Sequence, residues 1–166
     1  MKIEELIGFF GLPAQNTDFD KYLKAHDIDD RPKFDPETGN PTERIALPDQ
    51  GLSLEFIQPD SYLKNFGVIR QDGGMIFARI LVYALPEEDF RSYSGPVLTH
   101  VSTDITQEDA LARFGKPFRI RDEGDRFGRA NNIEYTWKNV DGIGLYVRFV
   151  KNPPAVKLIM VSPPSL

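Results

Sequence analysis

The sequence predicts an α+β fold made of two tandem repeats, each a helix followed by an antiparallel meander of strands. Three observations carry that prediction. One helix end occurs twice, as Phe10-Gly11-Leu12-Pro13 and as Phe114-Gly115-Lys116-Pro117, each time after two acidic residues and an apolar pair. Glycine closes a helix by taking the left-handed conformation, and a proline two residues on prevents its resumption. Several short segments alternate apolar with polar residues, the period of a strand with one buried face. Finally, Asp141-Gly142 stands between two such segments as a two-residue hairpin signal.

In chain order, residues 3–10 read as a helix with Ile3, Leu6, Ile7 and Phe10 on one stripe. Thr17 or Asp18 offers an N-cap for a second helix to about Ala25, with Phe19, Tyr22 and Leu23 on one side. Residues 27–43 shift to Asp, Pro, Gly, Asn and Thr, which predicts a long acidic loop with a turn at 35–39. Asp27, Asp29 and Asp30 crowd as in a calcium site, but the spacing is not that of an EF-hand loop and its central glycine is missing; no metal or other cofactor is expected. Residues 51–57 read as a strand with Leu52, Leu54 and Phe56 inward. Residues 62–71 read as strand or loop, turned back by Asp72-Gly73-Gly74. Residues 75–85 form the longest β-rich run, with Ile76, Ala78, Ile80 and Val82 on one face and Arg79, Leu81 and Tyr83 on the other.

Residues 87–105 read as a linker anchored by Phe90 and Tyr93. His100, Ser102 and Asp104 alternate within it, the one arrangement that resembles base, nucleophile and carboxylate. A triad is assembled from separate elements around an oxyanion hole, and no Gly-x-Ser-x-Gly turn is present; the simpler reading is that Ser102 or Asp104 helps cap the next helix. Thr106-Gln107-Glu108-Asp109 opens that helix as a capping box. Residues 118–123, 132–138, 143–150 and 155–161 read as four strands.

The second copy repeats the first: 142–149 matches 51–56, and 156–164 matches 78–86. The predicted organisation is one domain over 1–166, with repeat 1 at 3–86, a linker at 87–105 and repeat 2 at 106–164. The first copy is longer by 26 residues, mainly the second helix, the acidic loop and the 58–74 region. Insertions on one copy of a repeat are where a scaffold carries specificity.

Composition narrows the function classes. The 166 residues, 40 % of them hydrophobic, include 12 Phe, 6 Tyr and one Trp, enough for a sizeable core. Without cysteine there is no disulfide framework, zinc-thiolate site or thiol nucleophile. Glu4 and Glu5 interrupt the first apolar run, so no signal peptide is read there, and no apolar stretch approaches the roughly 20 residues of a membrane span. A cytoplasmic protein without membrane contact is expected. Residues 1–60 carry 13 acidic against 6 basic residues; residues 61–166 carry 12 against 14. The acidic part argues against nucleic acid and for a basic protein partner, beside the plainer reading of a solvated loop. Arg119, Arg121, Arg126 and Arg129 are interleaved with Asp122, Glu123 and Asp125, which reads as a charge-cancelled hairpin.

A helix ending in Leu-x-x-Phe-Gly-x-Pro (Leu111 to Pro117) before a four-stranded meander resembles the repeat unit of the β-lactamase inhibitor protein superfamily. The small outer-membrane assembly lipoproteins are similar too. The resemblance implies one curved sheet with helices on its convex side and a protein bound on the other. The chain departs from the lipoproteins in having no lipid-bearing cysteine and from the secreted inhibitor in having no disulfides. By type, a small acidic cysteine-free protein on an antiparallel sheet also resembles bacterial toxin-immunity proteins.

The leading expectation is therefore a protein-binding module, a cytoplasmic immunity or inhibitor protein that neutralises a cognate toxin domain with a basic surface. The face left open by the helices would present Glu55, Arg79, Tyr83, Glu134, Thr136, Lys138, Tyr146 and Arg148, a mixture suited to an interface. The acidic loop, through Asp27, Asp29, Asp30, Asp35 and Glu37, would steer the partner in. The alternative is a carrier or sensor of a small apolar ligand, using Phe66, Phe77 and Trp137, although Ile133, Tyr135 and Trp137 share a strand face as core residues do. A hydrolase comes third, because only scattered carboxylates could serve it.

Overall fold

The computed structural model describes residues 1–37, 39–123 and 132–166; Asp125, Arg126, Arg129 and Thr38 lie outside the described residues. The helices start where side chains satisfy free amides. In α1 (Ile3–Ile7), Ile3 and Leu6 are buried and the helix ends at Gly8, earlier than the Phe-Gly-x-Pro signal implies. α2 (Thr17–Lys24) is capped one residue before the expected position, because Asn16 Oδ1 accepts from both Asp18 N and Phe19 N at 3.1 Å. α3 (Pro59–Phe66) occupies the stretch read as strand or loop. Pro59 suits a first helical turn, Tyr62 and Phe66 stand four apart on one face, and Gly67 ends the helix at φ 88°. α4 (Gln107–Phe114) is capped by Thr106, which accepts from Asp109 N at 3.0 Å and donates to Asp109 Oδ2 at 2.8 Å; neither Ser102 nor Asp104 supplies the cap.

Seven strands make one open antiparallel sheet: β1 (Thr42–Leu47), β2 (Leu52–Ile57), β3 (Ile76–Tyr83), β4 (Arg119–Glu123), β5 (Asn132–Val140), β6 (Ile143–Lys151) and β7 (Pro154–Ser162), in the order β1-β2-β3-β7-β6-β5-β4. β1 begins inside the segment read as loop. The order runs outward on both sides from the β3–β7 pair, whose register sets Leu81 opposite Met160 and Tyr83 opposite Leu158. The β1–β2 and β5–β6 turns each contain a glycine at positive φ, Gly51 at 65° and Gly142 at 87°.

The main apolar cluster lies on the first face of the sheet. α1, α2 and α4 contribute Ile3, Leu6, Phe19, Leu23 and Ala110, packed with Leu54, Phe56, Phe77, Ile80, Val147 and Ile159. Phe19 stands 5.1 Å from Phe77 between ring centroids, and Phe56 5.2 Å from Phe77. Trp137 Nε1 donates to Gly115 O at 3.0 Å and Tyr135 Oη donates to Gln107 Oε1 at 3.3 Å, so two core aromatics of β5 tie both ends of α4 to the sheet. Helices do not share a single face. Tyr62 and Phe66 of α3 pack on Ile57, Ile76 and Ala78 in a separate cluster on the second face.

A β-bulge explains why the expected alternation of β3 fails. Glu55 pairs with Arg79 but the next residue, Phe56, pairs with Phe77, leaving Ala78 as the extra residue. Ile76 and Ala78 therefore join the cluster under α3, while Ile80 and Val82 join the main core. The sequence match of Ala78 with Val156 sets residues of different clusters against each other, because a one-residue slip exchanges faces.

Gly51 and Gly142 give a paired test of the turns. A Cβ on Gly51 would stand 2.5 Å from Arg91 O and Tyr93 N, whereas one on Gly142 meets nothing within 4 Å. In urea unfolding, Gly142→Ala should cost about 1 kcal/mol for its backbone conformation alone and Gly51→Ala roughly 3 kcal/mol or more. Equal losses would show that the β1–β2 turn does not pack against residues 91–93 as described.

Candidate protein-binding face

Strand alternation gathers the expected sheet-face residues. Cross-strand partners run Glu55–Arg79 between β2 and β3, Leu81–Met160 and Tyr83–Leu158 between β3 and β7, Met160–Tyr146 and Leu158–Arg148 between β7 and β6, then Tyr146–Thr136 and Arg148–Glu134 between β6 and β5. Directly opposed residues point to the same side of a sheet. Glu55, Arg79, Tyr83, Glu134, Thr136, Tyr146 and Arg148 thus share the second face. Lys138 follows by alternation and donates to the backbone carbonyl of Leu166.

Two buried carboxylates organise this face. Glu55, 3 % exposed, accepts from Arg79 on one oxygen; the other takes Arg44 Nε at 2.9 Å and pairs with the Arg44 terminal nitrogen at 2.7 Å. Glu134, 6 % exposed, accepts from Arg148 Nε at 2.9 Å and pairs with its terminal nitrogen at 2.8 Å. Arg148 Nε also donates to Tyr146 Oη at 3.0 Å. A buried carboxylate is tolerated only with such compensation, and removing one partner strands the other charge. Burial, reinforced by the hydrogen bond with Glu134, pushes the Tyr146 phenol well above its ordinary pKa. Burial likewise raises Tyr83, whose ring stacks on Phe90 at 4.1 Å between centroids. Arg44 is missing from the sequence-based set because no strand is read between the loop ending at 43 and the strand at 51; the alternation of Thr42, Arg44 and Ala46 is its available signal.

Apolar side chains of Leu81, Leu158 and Met160 lie between the two carboxylate centres. α3 and the C-terminal residues flank them: Leu166 N donates to Asn65 O at 3.0 Å and Ser165 N to Lys138 O at 3.1 Å. Between these walls lies a depression of about 140 Å³ lined by Phe66, Arg79, Thr136, Tyr146, Met160 and Ser162 among others.

The strand period places the described part of the hairpin read as charge-cancelled; Asp125, Arg126 and Arg129 lie outside the described residues. Arg119 pairs with Thr136 and Arg121 with Glu134, placing both on the second face. Asp122 stands opposite Ile133 on the other side and pairs with Lys151 there. Glu123, opposite Asn132, stands in register on the same side as Arg119 and Arg121, so the strand separates only Asp122 from them.

In the acidic loop, Asp27, Asp29, Asp30 and Glu37 are exposed, and Asp35 is half-buried with its carboxylate accepting from Glu37 N at 2.8 Å. Arg31 pins the loop base to α2 by donating to Asp20 Oδ1 and to Ile28 O, both at 2.8 Å. Hydrogen bonds from Lys24 and then Arg31 hold the Asp20 carboxyl below its usual pKa. Among the described residues no group of three or more His, Asp or Glu is disposed to hold a metal ion. The loop acids and the sheet-face residues do not form one continuous charge surface: the loop is acidic and the strand face basic.

Phe66 and Trp137 both line the depression of the second face, and Phe77 does not. Phe77 is fully buried in the main core, Trp137 Nε1 is held by Gly115, and Phe66 is the last residue of α3 on the second face. Ser102 and Asp104 are exposed in the linker, and His100 lies at the rim of a cavity of about 500 Å³ on the helix side, bordered by Ile7, Leu98, Phe114 and Ile143. No protein-family model, curated protein or solved structure matches the chain.

Glu55 carries the clearest energetic consequence. Glu55→Gln leaves two guanidiniums without their anion, and a loss of about 3 kcal/mol in urea unfolding is expected; a loss below roughly 0.5 kcal/mol would mean that the pairs are surface-like. The tyrosines set the alkaline limit. Burial pushes Tyr62 up to about 12, and burial with the Glu5 hydrogen bond pushes Tyr22 up to about 12. A phenol with a raised folded-state pKa contributes stability that is whole below pH about 10 and lost as pH rises from 10 through 12. Stability should fall over that window, and less steeply in Tyr62→Phe. Six phenols titrating near pH 10 in the intact fold would contradict the burial described.

Proposed function

We propose that the chain is a protein-binding module, a cytoplasmic immunity or inhibitor protein that neutralises a cognate bacterial toxin by direct contact rather than by catalysis. The observation that carries this reading is the second sheet face, where Tyr83, Tyr146, Arg79 and Arg148 surround an apolar strip of Leu81, Leu158 and Met160. Aromatic and arginine side chains around an apolar centre are the composition of a protein interface. The repeat reading supports it: two related halves, each closing a hairpin through a positive-φ glycine, would meet at β3 and β7 and extend one binding face. The first half holds the added α2, acidic loop and α3, and we assign it the specificity for the toxin. No helix among the described residues is long and apolar enough to cross a membrane.

A second reading keeps the helix-side cavity. Its volume of about 500 Å³ and its border of Ile7, Leu98, Val101, Phe114 and Ile143 suit a small apolar ligand. Native mass spectrometry of the freshly purified chain decides it: a retained small molecule favours carriage, and a bare chain favours the interface.

The acidic loop supplies the steering part of the leading proposal, toward a basic surface on the toxin. With the partner captured from the native cell and identified, replacing Asp27, Asp29, Asp30 and Asp35 by Asn and Glu37 by Gln should slow association about tenfold at low salt. The difference should shrink as salt rises. An unchanged low-salt rate would remove the loop from the binding account.

A further inference from the structure

The strand face and the loop carry opposite charge, and the sign of the face specifies what lies on it. Arg44, Arg79, Arg119, Arg121, Lys138 and Arg148 occupy the second face against Glu55, Glu134 and, in register on β4, Glu123. The chain as a whole has a formal charge of −5. The carboxylates of Glu55 and Glu134 are buried under their own arginines, whereas the arginines keep solvent access: Arg44 is 54 % exposed, Arg79 27 % and Arg148 29 %. The solvent therefore meets cations.

We infer that this face holds an acidic segment of the protein partner, laid across β7, β6, β5 and β4 with one carboxylate seated in the depression beside Arg79. The inference rests on the protein-binding reading and deepens it. The depression, at about 140 Å³, is smaller than the 300 Å³ or more of small-molecule pockets and suits one side chain. Arg79 borders it with one N–H committed to Glu55, and a guanidinium has five N–H donors in a planar fork that matches a carboxylate. Thr136 adds a hydroxyl to its wall, and Met160 and Phe66 take the methylene stem. Arg119 and Arg121 on the edge strand extend the cationic track outward.

Charge and ring geometry favour a protein acid over a nucleic acid. The loop carrying Asp27, Asp29, Asp30, Asp35 and Glu37 runs into β1 of the same sheet, and Gln58 N donates to Pro41 O at 3.1 Å, so the loop's end sits beside the start of α3. A long phosphate chain crossing the sheet would meet that loop; a short acidic segment would not. Base stacking needs free ring faces, yet Tyr83 is stacked on Phe90 and Tyr146 is held by Arg148. A partner that is basic opposite the loop and acidic opposite the strands would dock in one orientation only.

The test uses the full chain and three labelled probes of equal length: a Glu-Gly repeat peptide, a Lys-Gly repeat peptide and oligo-dT, followed by fluorescence anisotropy at low and high salt. The Glu-Gly peptide should bind at low salt and the Lys-Gly peptide should not bind the strand face. Arg119→Gln, at an exposed position of the edge strand, should weaken the Glu-Gly peptide several-fold. Arg79→Lys, which keeps the charge beside Glu55 but loses the fork, should weaken it several-fold. Neutralising the five loop acids should leave Glu-Gly binding equal or tighter. Tighter binding of oligo-dT, or Glu-Gly binding indifferent to the arginine variants, overturns the inference. If those variants leave capture of the native partner intact while loop neutralisation abolishes it, the acidic segment is wrong and the binding module stands. If no protein partner is captured, the underlying reading fails instead.

Discussion

The sheet is continuous because β7 lies antiparallel beside β3. Four residue pairs, from Ile80–Val161 to Tyr83–Leu158, join strands about 80 residues apart in sequence, and all other neighbouring strands come from within one half of the chain. Ile80, Val82, Ile159 and Val161 are all fully buried, so the register is held by the core. A slip of one residue would send these side chains to the second face and bring Leu81 and Met160 inward. The candidate face exists only in the observed register, because it alone places Tyr83 and Arg79 on the same side as Arg148 and Glu134.

The bulge at Ala78 is the second constraint. It turns the N-terminal end of β3 so that Ile76 and Ala78 receive α3, while Arg79 immediately after it stays opposite Glu55. The same local irregularity thus separates an apolar, helix-covered end of the second face from its charged middle. Glu55, bound by arginines from the strands on both sides, ties β1, β2 and β3 at this level. Such a buried pair adds less net stability than its geometry suggests and more specificity of pairing, since any other register leaves the carboxylate bare.

The second half of the fold was legible almost throughout. Its capping box, its Phe-Gly-x-Pro stop and the Asp141-Gly142 turn are local signals, and β5, β6 and β7 alternate except at the register shifts beside Trp137 and Arg148. The first half was harder to read. β1 is six residues long and emerges from a Pro, Asp and Gly-rich segment that masks it, and α3 is followed by Gly67-Val68-Ile69, which reads as extended chain. The bulge has no sequence signature at all, and it cost the faces of Ile76 and Ala78. For the site, simple period counting collected the residues of β2, β3, β5 and β6. It missed Arg44 with β1.

The account comes down to which side of the sheet meets a partner, and the three methionines report on it separately. Met75 is fully buried, Met1 packs against the helix-side cluster, and Met160 lines the depression on the second face. Methyl NMR of the chain labelled at methionine, titrated with the partner captured from the native cell, tests the claim most directly. The account requires the Met160 signal to move while Met1 and Met75 stay in place. A shift at Met1 with Met160 unchanged would put the interface on the helices and contradict it.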